Sequence, residues 1–516
     1  MKVAIWAVAL ALLFGVYITG ITTNPPGFYI DESGFCYTAF LVSKTGGEES
    51  GRQWPLFFQF YTGGYAQYTA PTLVYLLALA FTVLGPSILL ARLVTAASMF
   101  AGCVSVGFLG ARISGRKLTG IVIGSVALLT PWLFEVGRLV LDTFFYPTAV
   151  VLFLWAVYLA QKKDKWNWVN CLAITLALVL VTYSYTIGRL LGPMLAFGLI
   201  SFATSKARIF SIVRTWLAYS VTMIPLIVFL RWNPDFTTRF YLLSYIKPES
   251  TWTEVFLRFV SRFFEELNPA QLLLRGDINP RHHIPDALGS FFIAAFILSM
   301  IGIIVVVIRH WRDPWWRYVI FGLLVSLVPG ALTVDEHHTL RAIAAPVFLI
   351  ILMIPAIEWM LGRPNDELGA GDATEAETGG GSTTSDPRFM IARRVLLAVL
   401  LVGAMSEAVY FHYQYFERGS LRGYVFDAAY KDVYDAAVAE PQRPIYLEDG
   451  YWGPDYIHSY WYATVEGRSA SEFVHQPYGR AVPEGAIVIS SNRDCTRCEI
   501  ILRKGDFILY RSSSGP

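Results

Sequence analysis

Charged residues are scarce in this 516-residue chain: only 16% are Asp, Glu, Lys or Arg, whereas 55% are hydrophobic. That balance excludes a soluble globular protein of this length and indicates a polytopic membrane protein. The 41 basic and 39 acidic residues nearly cancel, and no basic run suggests nucleic acid as a partner. The charges therefore have to be assigned to the two sides of a membrane.

Cysteine is also rare. Five cysteines are too few for a disulfide-rich scaffold, and Cys36, Cys103 and Cys171 stand far apart, so we expect them to be unpaired. Cys495 and Cys498 form a C-x-x-C pair. Such a pair could be half of a metal site, a redox pair or a small disulfide, and without a second pair it is a weak indication of metal.

Long apolar runs dominate the rest of the chain. Val3 to Ile21 is about the ~20 residues that a spanning helix needs, and no signal-peptide cleavage site clearly follows it, which predicts a retained anchor. Residues 71–85 are too few to cross and are expected in the interface. Further spans are predicted at 92–111, 118–131, 143–160, 167–186, 190–204, 209–230, 290–308, 318–334, 342–361 and 391–411, about eleven in all.

Lysine and arginine indicate how these helices are oriented. They cluster in short loops at one face, at 112–117, 162–165, 206–208 and 309–317, and by the positive-inside rule that face is cytoplasmic. The N-terminus then lies inside. The extracytoplasmic side of the plasma or inner membrane then holds the large loops 23–91 and 231–289 and everything after about residue 412. The acidic, glycine-rich segment 362–388 is expected to be a disordered cytoplasmic linker.

The tail differs from the membrane part. After the multispanning domain of residues 1–412, residues 413–516 contain a polar helical stretch at 428–439 and strand-like runs at 444–447, 486–490, 499–503 and 507–510, of which the last two indicate a hairpin. The predicted fold class is an all-α polytopic membrane protein. It has interfacial helices in its first external loop and a small extracytoplasmic α/β domain at its C-terminus.

The first acidic pair follows the first span directly. Pro25, Pro26 and Gly27 end that helix, so that Asp31 and Glu32 open the next segment beside the membrane surface. A carboxylate at this place can accept a proton from a substrate. It can equally well cap a helix running from about Ser33, and the local sequence leaves both interpretations open.

Strongly polar residues recur in the predicted external loops: Asp31, Glu32, Arg92, Arg138, Asp142, Arg189, Asp277, Arg281, His282, His338 and Arg341. A single arginine of this kind would be expected to reach for the lipid headgroups. The set at one face suits transfer of a group from a lipid-linked phosphate, because arginine binds phosphate bidentately and cations stabilise the charge that builds on the leaving phosphate. Asp31 could then serve as the base for an acceptor hydroxyl.

Five motifs in chain order carry a resemblance to a known family. They are Pro25-Pro26-Gly27-Phe28-Tyr29-Ile30-Asp31-Glu32, Gly137-Arg138-Leu139 with Asp142, Tyr183-Ser184-Tyr185 with Arg189 and Pro193, Gly276-Asp277-Ile278-Asn279-Pro280-Arg281-His282 with Pro285, and Leu332-Thr333-Val334-Asp335 with His338 and Arg341. The chain resembles, over almost its whole length, the multispanning glycosyltransferases of the dolichyl-phosphate-mannose protein mannosyltransferase type, which include the aminoarabinose transferases of lipid A.

The resemblance implies a hexosyl- or pentosyltransferase with a polyprenyl-phosphate sugar donor. The acceptor would be a protein, a lipid or a glycan. The resemblance also implies inversion at the sugar carbon and an active site on the external side. The residues it implies are Asp31, with Glu32 and Asp142, for catalysis; Arg92, Arg138, Arg189, Arg281 and Arg341 for the donor phosphate; and Tyr68, Tyr183, Tyr185, Asp277, His282 and His338 for substrate.

One position departs from the family pattern. Many relatives have Lys or His just before the short apolar segment, where this chain has Thr69 between Tyr68 and Ala70. A phosphate-binding cation is missing there. Either Arg92, Arg189 or Arg281 supplies it, or the donor is held in a different way.

Two alternatives remain open. His282, His283, His337 and His338 with Asp277, Asp335 and Asp31 could form a divalent metal site, but the spacing does not require one and the resemblance implies metal-free chemistry, so no cofactor is expected. The alternative function is a transporter or flippase for a lipid-linked or small polar substrate. Transporters usually place ionisable groups near the bilayer midplane in two related halves, and this sequence shows no such repeat.

Overall fold

The computed structural model describes residues 2–61, 68–233, 238–362, 387–450, 453–492 and 498–513. The described residues are mostly helical. They belong to two compact units: unit 1 comprises Met1–Ala97, Gly137–Phe144 and Tyr415–Pro516, and unit 2 comprises Ser98–Val136 and Phe145–Gln414. The predicted linker at 362–388 lies, apart from its ends, outside the described residues, and the predicted domain boundary at 412/413 stays a prediction.

The helices follow the apolar runs of the sequence. In chain order they are α1 (Lys2–Tyr17), α2 (Ile30–Thr45), α3 (Pro71–Leu84), α4 (Ile88–Ser114), α5 (Lys117–Leu129), α6 (Pro131–Gly137), α7 (Tyr146–Gln161), α8 (Trp168–Ser184), α9 (Gly188–Gly198), α10 (Lys206–Trp232), α11 (Thr238–Leu243), α12 (Trp252–Glu266), α13 (Ile293–Val305), α14 (Pro314–Ser326), α15 (Val328–Ala331), α16 (Ala345–Met360), α17 (Pro387–Arg418), α18 (Tyr430–Ala439) and α19 (Tyr456–Glu466).

Each predicted span overlaps one of these helices. Among the described residues, four helical stretches are long and apolar enough to cross a membrane: Ile88–Ser114, Lys206–Trp232, Ile293–His310 and Arg388–Val425. The pair α5 and α6, bent by 58°, meets the same test together, and several shorter apolar helices follow the other predicted spans. The chain therefore has the helices of a multi-pass membrane protein, whereas the number of crossings and their direction stay predictions.

In unit 1, local sequence sets where α2 begins and ends. The helix starts immediately after the Pro25-Pro26-Gly27 turn, and Gly46 ends it in the left-handed conformation (φ 72°), which glycine adopts without steric cost. One side of α3 is buried through Leu73, Leu77 and Phe81, and α3 and α19 both pack against α2. Helix α2 is therefore enclosed by protein along much of its length.

The strands of unit 1 are β1 (Phe58–Gln59), β2 (Tyr68–Thr69), β3 (Ile445–Glu448), β4 (Phe473–Gln476), β5 (Ile487–Ser490), β6 (Cys498–Lys504) and β7 (Phe507–Ser512). β1 and β2 form an antiparallel pair, and the other strands form a sheet in the order β4-β3-β5-β7-β6. β3 is parallel to both β4 and β5, whereas β7 is antiparallel to β5 and β6. The predicted C-terminal hairpin is thus confirmed, and β4 and α19 are elements that the sequence did not predict.

The cysteines largely follow expectation. Cys36, Cys103 and Cys171 are free and buried. Cys498 is disulfide-bonded, and Cys495 lies outside the described residues.

Candidate active site

Glu32 is the most heavily bonded carboxylate near the start of α2. It is 1% exposed, and it accepts hydrogen bonds from the backbone N–H of Tyr29 (3.0 Å) and of Val140 (3.0 Å). Its Oε2 also pairs with Arg92 Nη2 at 3.2 Å. A buried carboxylate needs such partners to remain charged. Glu32 therefore caps α2 and ties it to the segment around Val140.

Arg92 is fully buried and is used within the protein. Its guanidinium donates to the carbonyl oxygens of Ile21 (3.0 Å), Pro25 (2.9 Å) and Gly27 (2.7 Å), in addition to its ion pair with Glu32. These charge-assisted bonds close the turn between α1 and α2. They support a structural role, and a contact of Arg92 with donor phosphate stays a prediction.

Arg138 also donates to backbone carbonyl oxygens at the end of α1 and in the segment between α1 and α2. It is also fully buried, and it donates to the carbonyl oxygens of Tyr17 (2.7 Å), Thr19 (2.7 Å) and Asn24 (3.3 Å). The Tyr415 ring lies 5.5 Å from its guanidinium carbon. Its predicted phosphate contact likewise stays a prediction.

Asp31 differs from its neighbour Glu32 because its side chain is partly exposed. The phenol of Tyr61 donates to its Oδ1 at 2.7 Å. One oxygen is thereby fixed in orientation while the carboxylate remains accessible to solvent. A general base has to reach a substrate hydroxyl, so this partial exposure is compatible with the predicted role of Asp31, which stays a prediction.

Thr69, at the position where the family resemblance leads one to expect a basic residue, contacts Asp142, another predicted site residue. Its hydroxyl donates to Asp142 Oδ2 at 3.2 Å, and the neighbouring Tyr68 lies under the Arg52 guanidinium at 5.3 Å. Because the backbone of Val140 is bonded to Glu32, the segment that carries Asp142 lies against the first turn of α2. Unit 1 thus brings Asp31, Glu32 and Asp142 into one region.

Unit 2 holds a second polar cluster, centred on the buried Asp277. Its Oδ2 accepts hydrogen bonds from Thr339 N (2.9 Å) and Oγ1 (2.7 Å) and lies 3.2 Å from His282 Nδ1, while Oδ1 accepts from Asn279 N (2.9 Å). Burial alone would raise the pKa of Asp277, but the interactions with His282, supported by His338 and Asn279, lower it well below its ordinary value. Asp277 is therefore ionised, and its hydrogen bonds connect the loop of Asn279 and His282 to the loop of Thr339.

His338 lies beside this carboxylate, with its ring centroid 4.8 Å from that of His282. Burial, reinforced by the nearby charges of His282 and Arg341, lowers the pKa of His338 to about 3. The imidazole is therefore neutral at physiological pH. Its Nδ1 is buried and has no hydrogen-bond partner among the described residues.

Arg341 follows one turn later and is 7% exposed. Its Nη2 pairs with Asp335 at 2.5 Å, whereas its Nη1 is buried without a hydrogen-bond partner in the part of the chain that the structure describes. A guanidinium N–H that is buried but unbonded is costly. Arg341 and His338 thus share the property of a buried nitrogen without a hydrogen-bond partner among the described residues, and a contact of either with donor or substrate stays a prediction.

The remaining predicted residues of unit 2 lie in two places. Arg281 is in the loop of Asp277 and His282, where its backbone N–H donates to Asn279 Oδ1 (3.0 Å). Tyr183, Tyr185 and Arg189 lie at the junction of α8 and α9, and the Tyr183 phenol donates to the Thr222 carbonyl (2.7 Å). Arg189 and Arg281 are both partly exposed.

Of the histidines considered for a metal site, two have other partners. His283 Nδ1 lies 2.7 Å from Glu135 Oε2, and its Nε2 lies 2.6 Å from the Leu288 carbonyl. Burial opposes the charge on His283, but Glu135 outweighs it and raises the pKa. His337 faces Glu266 at 3.7 Å. Glu135 and Glu266 were not predicted, because nothing in a helix sequence distinguishes a buried acid from an exposed one.

The possible metal ligands of unit 2 are thereby reduced to Asp277, His282 and His338, whose ligand atoms lie within 4.8 Å of one another. One carboxylate and two imidazoles are a donor set that suits zinc. The oxygens of Asp277 are nevertheless already engaged by His282, Thr339 and Asn279. The donor types fit a metal, whereas the hydrogen bonds suit a metal-free cluster.

Comparisons with known proteins identify the fold. No family model matches the sequence, and no curated protein matches it. The structure is similar to that of ArnT from Cupriavidus metallidurans in the apo state, with a TM-score of 0.58, 12% identity, and coverage of 99% of this chain and 98% of that one. ArnT bound to undecaprenyl phosphate gives the same TM-score over 98% and 97%. An Archaeoglobus fulgidus oligosaccharyltransferase matches more weakly, at 0.46 and 14% identity over 90% of this chain and 63% of that one. The chain thus has, over almost its full length, the fold of ArnT.

Proposed function

We propose that this protein is a membrane glycosyltransferase that moves a sugar from a polyprenyl-phosphate donor to an acceptor hydroxyl. The observation that carries the proposal is the chain-long fold similarity to ArnT, one of whose structures holds undecaprenyl phosphate. Because one fold can host several functions, the proposal also depends on whether this chain has the groups that the reaction needs.

The donor needs cationic or N–H groups at its phosphate. Arg341 and His338 supply them: a buried guanidinium nitrogen and a buried imidazole nitrogen, both without hydrogen-bond partners among the described residues. Arg189 and Arg281 are further candidates for the same role. Donors placed in advance stabilise the negative charge that grows on the phosphate as the sugar leaves.

The acceptor needs a base, and Asp31 is the best placed of the unit 1 carboxylates. In the proposed step, the acceptor oxygen forms a bond to the anomeric carbon as its proton passes to Asp31. The bond between that carbon and the phosphate oxygen breaks, and its electron pair leaves with polyprenyl phosphate. Attack opposite the leaving group inverts the sugar carbon. Glu32 is bonded on several sides and would act by holding Asp31 in place.

The proposal includes an active site on the extracytoplasmic side of the inner or plasma membrane, as the distribution of lysine and arginine predicts. The acceptor is a hydroxyl of a protein, a lipid or a glycan. Mass spectrometry of surface glycans and glycoproteins in a strain lacking the protein would identify it.

The reaction itself is tested with purified protein in proteoliposomes. Undecaprenyl-phosphate donors carrying different hexoses and pentoses are supplied, and released undecaprenyl phosphate and glycosylated acceptor are measured by mass spectrometry. The proposal expects release that depends on Asp31. Translocation of the donor across the bilayer without cleavage would instead establish the flippase alternative.

A further inference from the structure

A buried hydrogen-bonded chain joins the C-terminal residues to the first turn of α2. Ser33 Oγ lies 2.9 Å from His458 Nδ1, and His458 Nε2 lies 3.2 Å from Asp427 Oδ2. The same Asp427 oxygen accepts from the backbone N–H of Ile30 at 3.1 Å. Ser33 and His458 are both 0% exposed. This chain, the His458 clamp, consists of Ser33, His458, Asp427 and Ile30.

The partners determine how the clamp is bonded. The carboxylate of Asp427 accepts only, so His458 Nε2 carries a hydrogen and donates to it. In the neutral imidazole, His458 Nδ1 is then the acceptor for the Ser33 hydroxyl. The order hydroxyl, imidazole, carboxylate is that of a nucleophilic triad, but a serine with no exposed surface cannot reach a substrate. The arrangement therefore serves to hold a position.

The clamp is hydrogen-bonded to α2 on both sides of Asp31. Ile30 precedes Asp31, and its N–H is one of the donors that a helix start leaves without an intrahelical partner. Ser33 follows it two residues later. Asp31 is thus carried on a stretch whose beginning and end are both bonded to the same imidazole–carboxylate pair.

Neighbouring residues pack against the clamp and bond to the helix that carries His458. The Tyr430 ring lies 4.6 Å from the His458 ring, and the Tyr430 hydroxyl is bonded to Ser459 at 2.7 Å. Asp427 has a φ of 51°, a left-handed conformation that Asp tolerates better than most residues. A further bond from Tyr456 to Glu49 (2.8 Å) links α19 to the residues just after α2.

We propose that His458, with Asp427, is a positioning residue for Asp31. This inference rests on the proposed function: by holding the first turn of α2, the clamp sets the place of the carboxylate that takes the acceptor proton. Residues after Tyr415 would then contribute to catalysis without touching substrate. A base displaced by about an ångström loses roughly a hundredfold in rate, so the effect is expected in kcat.

The test compares three variants of the full-length protein. His458→Ala removes both bonds of the imidazole. His458→Gln keeps an acceptor and a donor in one neutral side chain and guards against misfolding of the alanine variant. His475→Gln is the matched control: His475, on β4, also pairs with a carboxylate, that of Asp449 (2.7 Å), and stacks on Tyr456 of α19, but it is not part of the clamp. Donor KM, kcat and amide hydrogen exchange over residues 29–34 are measured for each.

His458→Ala is expected to lower kcat by roughly 10- to 100-fold with little change in donor KM, and to speed exchange of the Ile30 amide. His458→Gln should recover most of both, and His475→Gln should match the wild type. Unchanged exchange in His458→Ala, or faster exchange with unchanged kcat, overturns the inference. If the wild type transfers no sugar, the proposed function is what fails, and the exchange data still decide whether the clamp holds α2.

Discussion

The two polar regions of this protein use their charges in opposite ways. In unit 1 the arginines are occupied: Arg92 and Arg138 are fully buried and donate to backbone carbonyls, and a carboxylate, Asp31, stays accessible. In unit 2 the carboxylate of Asp277 is occupied, and nitrogens of His338 and Arg341 are left without hydrogen-bond partners among the described residues. The accessible charged group is an acid in unit 1, whereas the unbonded buried atoms in unit 2 are nitrogens.

Residue type alone therefore does not determine role. Arg92 and Arg341 are both buried arginines, yet Arg92 donates to three carbonyl oxygens and a carboxylate, whereas one nitrogen of Arg341 has no such partner. Asp31 and Glu32 are adjacent acids with a similar contrast in burial. The hydrogen bonds that a charge already makes indicate whether it is available to a ligand.

The largest expected effect is at Asp31. Asp31→Asn keeps the shape of the side chain but cannot accept a proton, so transfer should fall by roughly 10²- to 10⁴-fold while the protein remains folded and inserted. Glu32→Gln should act mainly on stability, because Glu32 holds Arg92 and two backbone N–H groups. Rates of sugar transfer and thermal unfolding are measured for both. Near-normal turnover by Asp31→Asn would refute its role as base.

Arg92 tests the structural side of the comparison. Arg92→Ala leaves Glu32 buried without its cation, a change that typically costs about 3–5 kcal/mol of stability. The midpoint of thermal unfolding in detergent should fall markedly. Arg468→Ala is a suitable control, since Arg468 also lies in unit 1 but is about one-third exposed, and its partners Glu466 and Glu472 are partly exposed as well. If Arg92→Ala stays as stable as that control and loses only donor binding, Arg92 belongs with the phosphate after all.

The sequence predicts those secondary-structure elements that depend on a local pattern of residues. The apolar runs predicted most of the helices, although not α12, which lies in the predicted loop 231–289, and the Lys504-Gly505-Asp506 turn predicted the hairpin of β6 and β7. Helix α19 was missed because its sequence, Tyr-Ile-His-Ser-Tyr-Trp-Tyr-Ala-Thr-Val-Glu, is rich in aromatic and β-branched residues that favour strands as much as helices. Its packing against α2 is a tertiary interaction that no local pattern contains.

The site was predictable only as a set of residue types. Asp31, Arg92 and Arg341 are all charged residues at the ends of apolar runs, so the sequence predicted all three as site residues without distinguishing their roles. Their partners could not be predicted, because Arg92 bonds carbonyl oxygens more than sixty positions away and His458 bonds Ser33 across 425 positions. Backbone carbonyls exist at every position, so the sequence carries no sign of which of them an arginine will bond.

Arg341 tests the other side of the comparison with a smaller expected effect. Arg341→Ala removes a charge-assisted contact, worth about 1.5–3 kcal/mol, so donor KM should rise by roughly 10- to 100-fold. Arg341→Lys should recover only part, since an ammonium lacks the planar fork of guanidinium. The matched control is Arg208→Ala, because Arg208 is also a buried arginine of unit 2 and donates to the Gln161 carbonyl (2.9 Å), away from the loop of Arg341. Normal donor binding with a defect confined to acceptor use would assign Arg341 to the acceptor.

Removal of metal is expected to have the smallest effect. Three of the four contacts of the Asp277 carboxylate, one with His282 and two with Thr339, are on Oδ2, and the fourth, with Asn279, is on Oδ1, so Oδ2 is already fully bonded. A metal ion would have to displace some of these bonds, although the neutral His338 would suit it as a ligand. Incubation with EDTA followed by buffer exchange should therefore leave the transfer rate nearly unchanged. Loss of activity that Zn²⁺ or Mn²⁺ restores in the wild type, but not in His338→Gln, would show that the cluster binds metal and that unit 2 supplies the phosphate with a metal ion as well as with arginine.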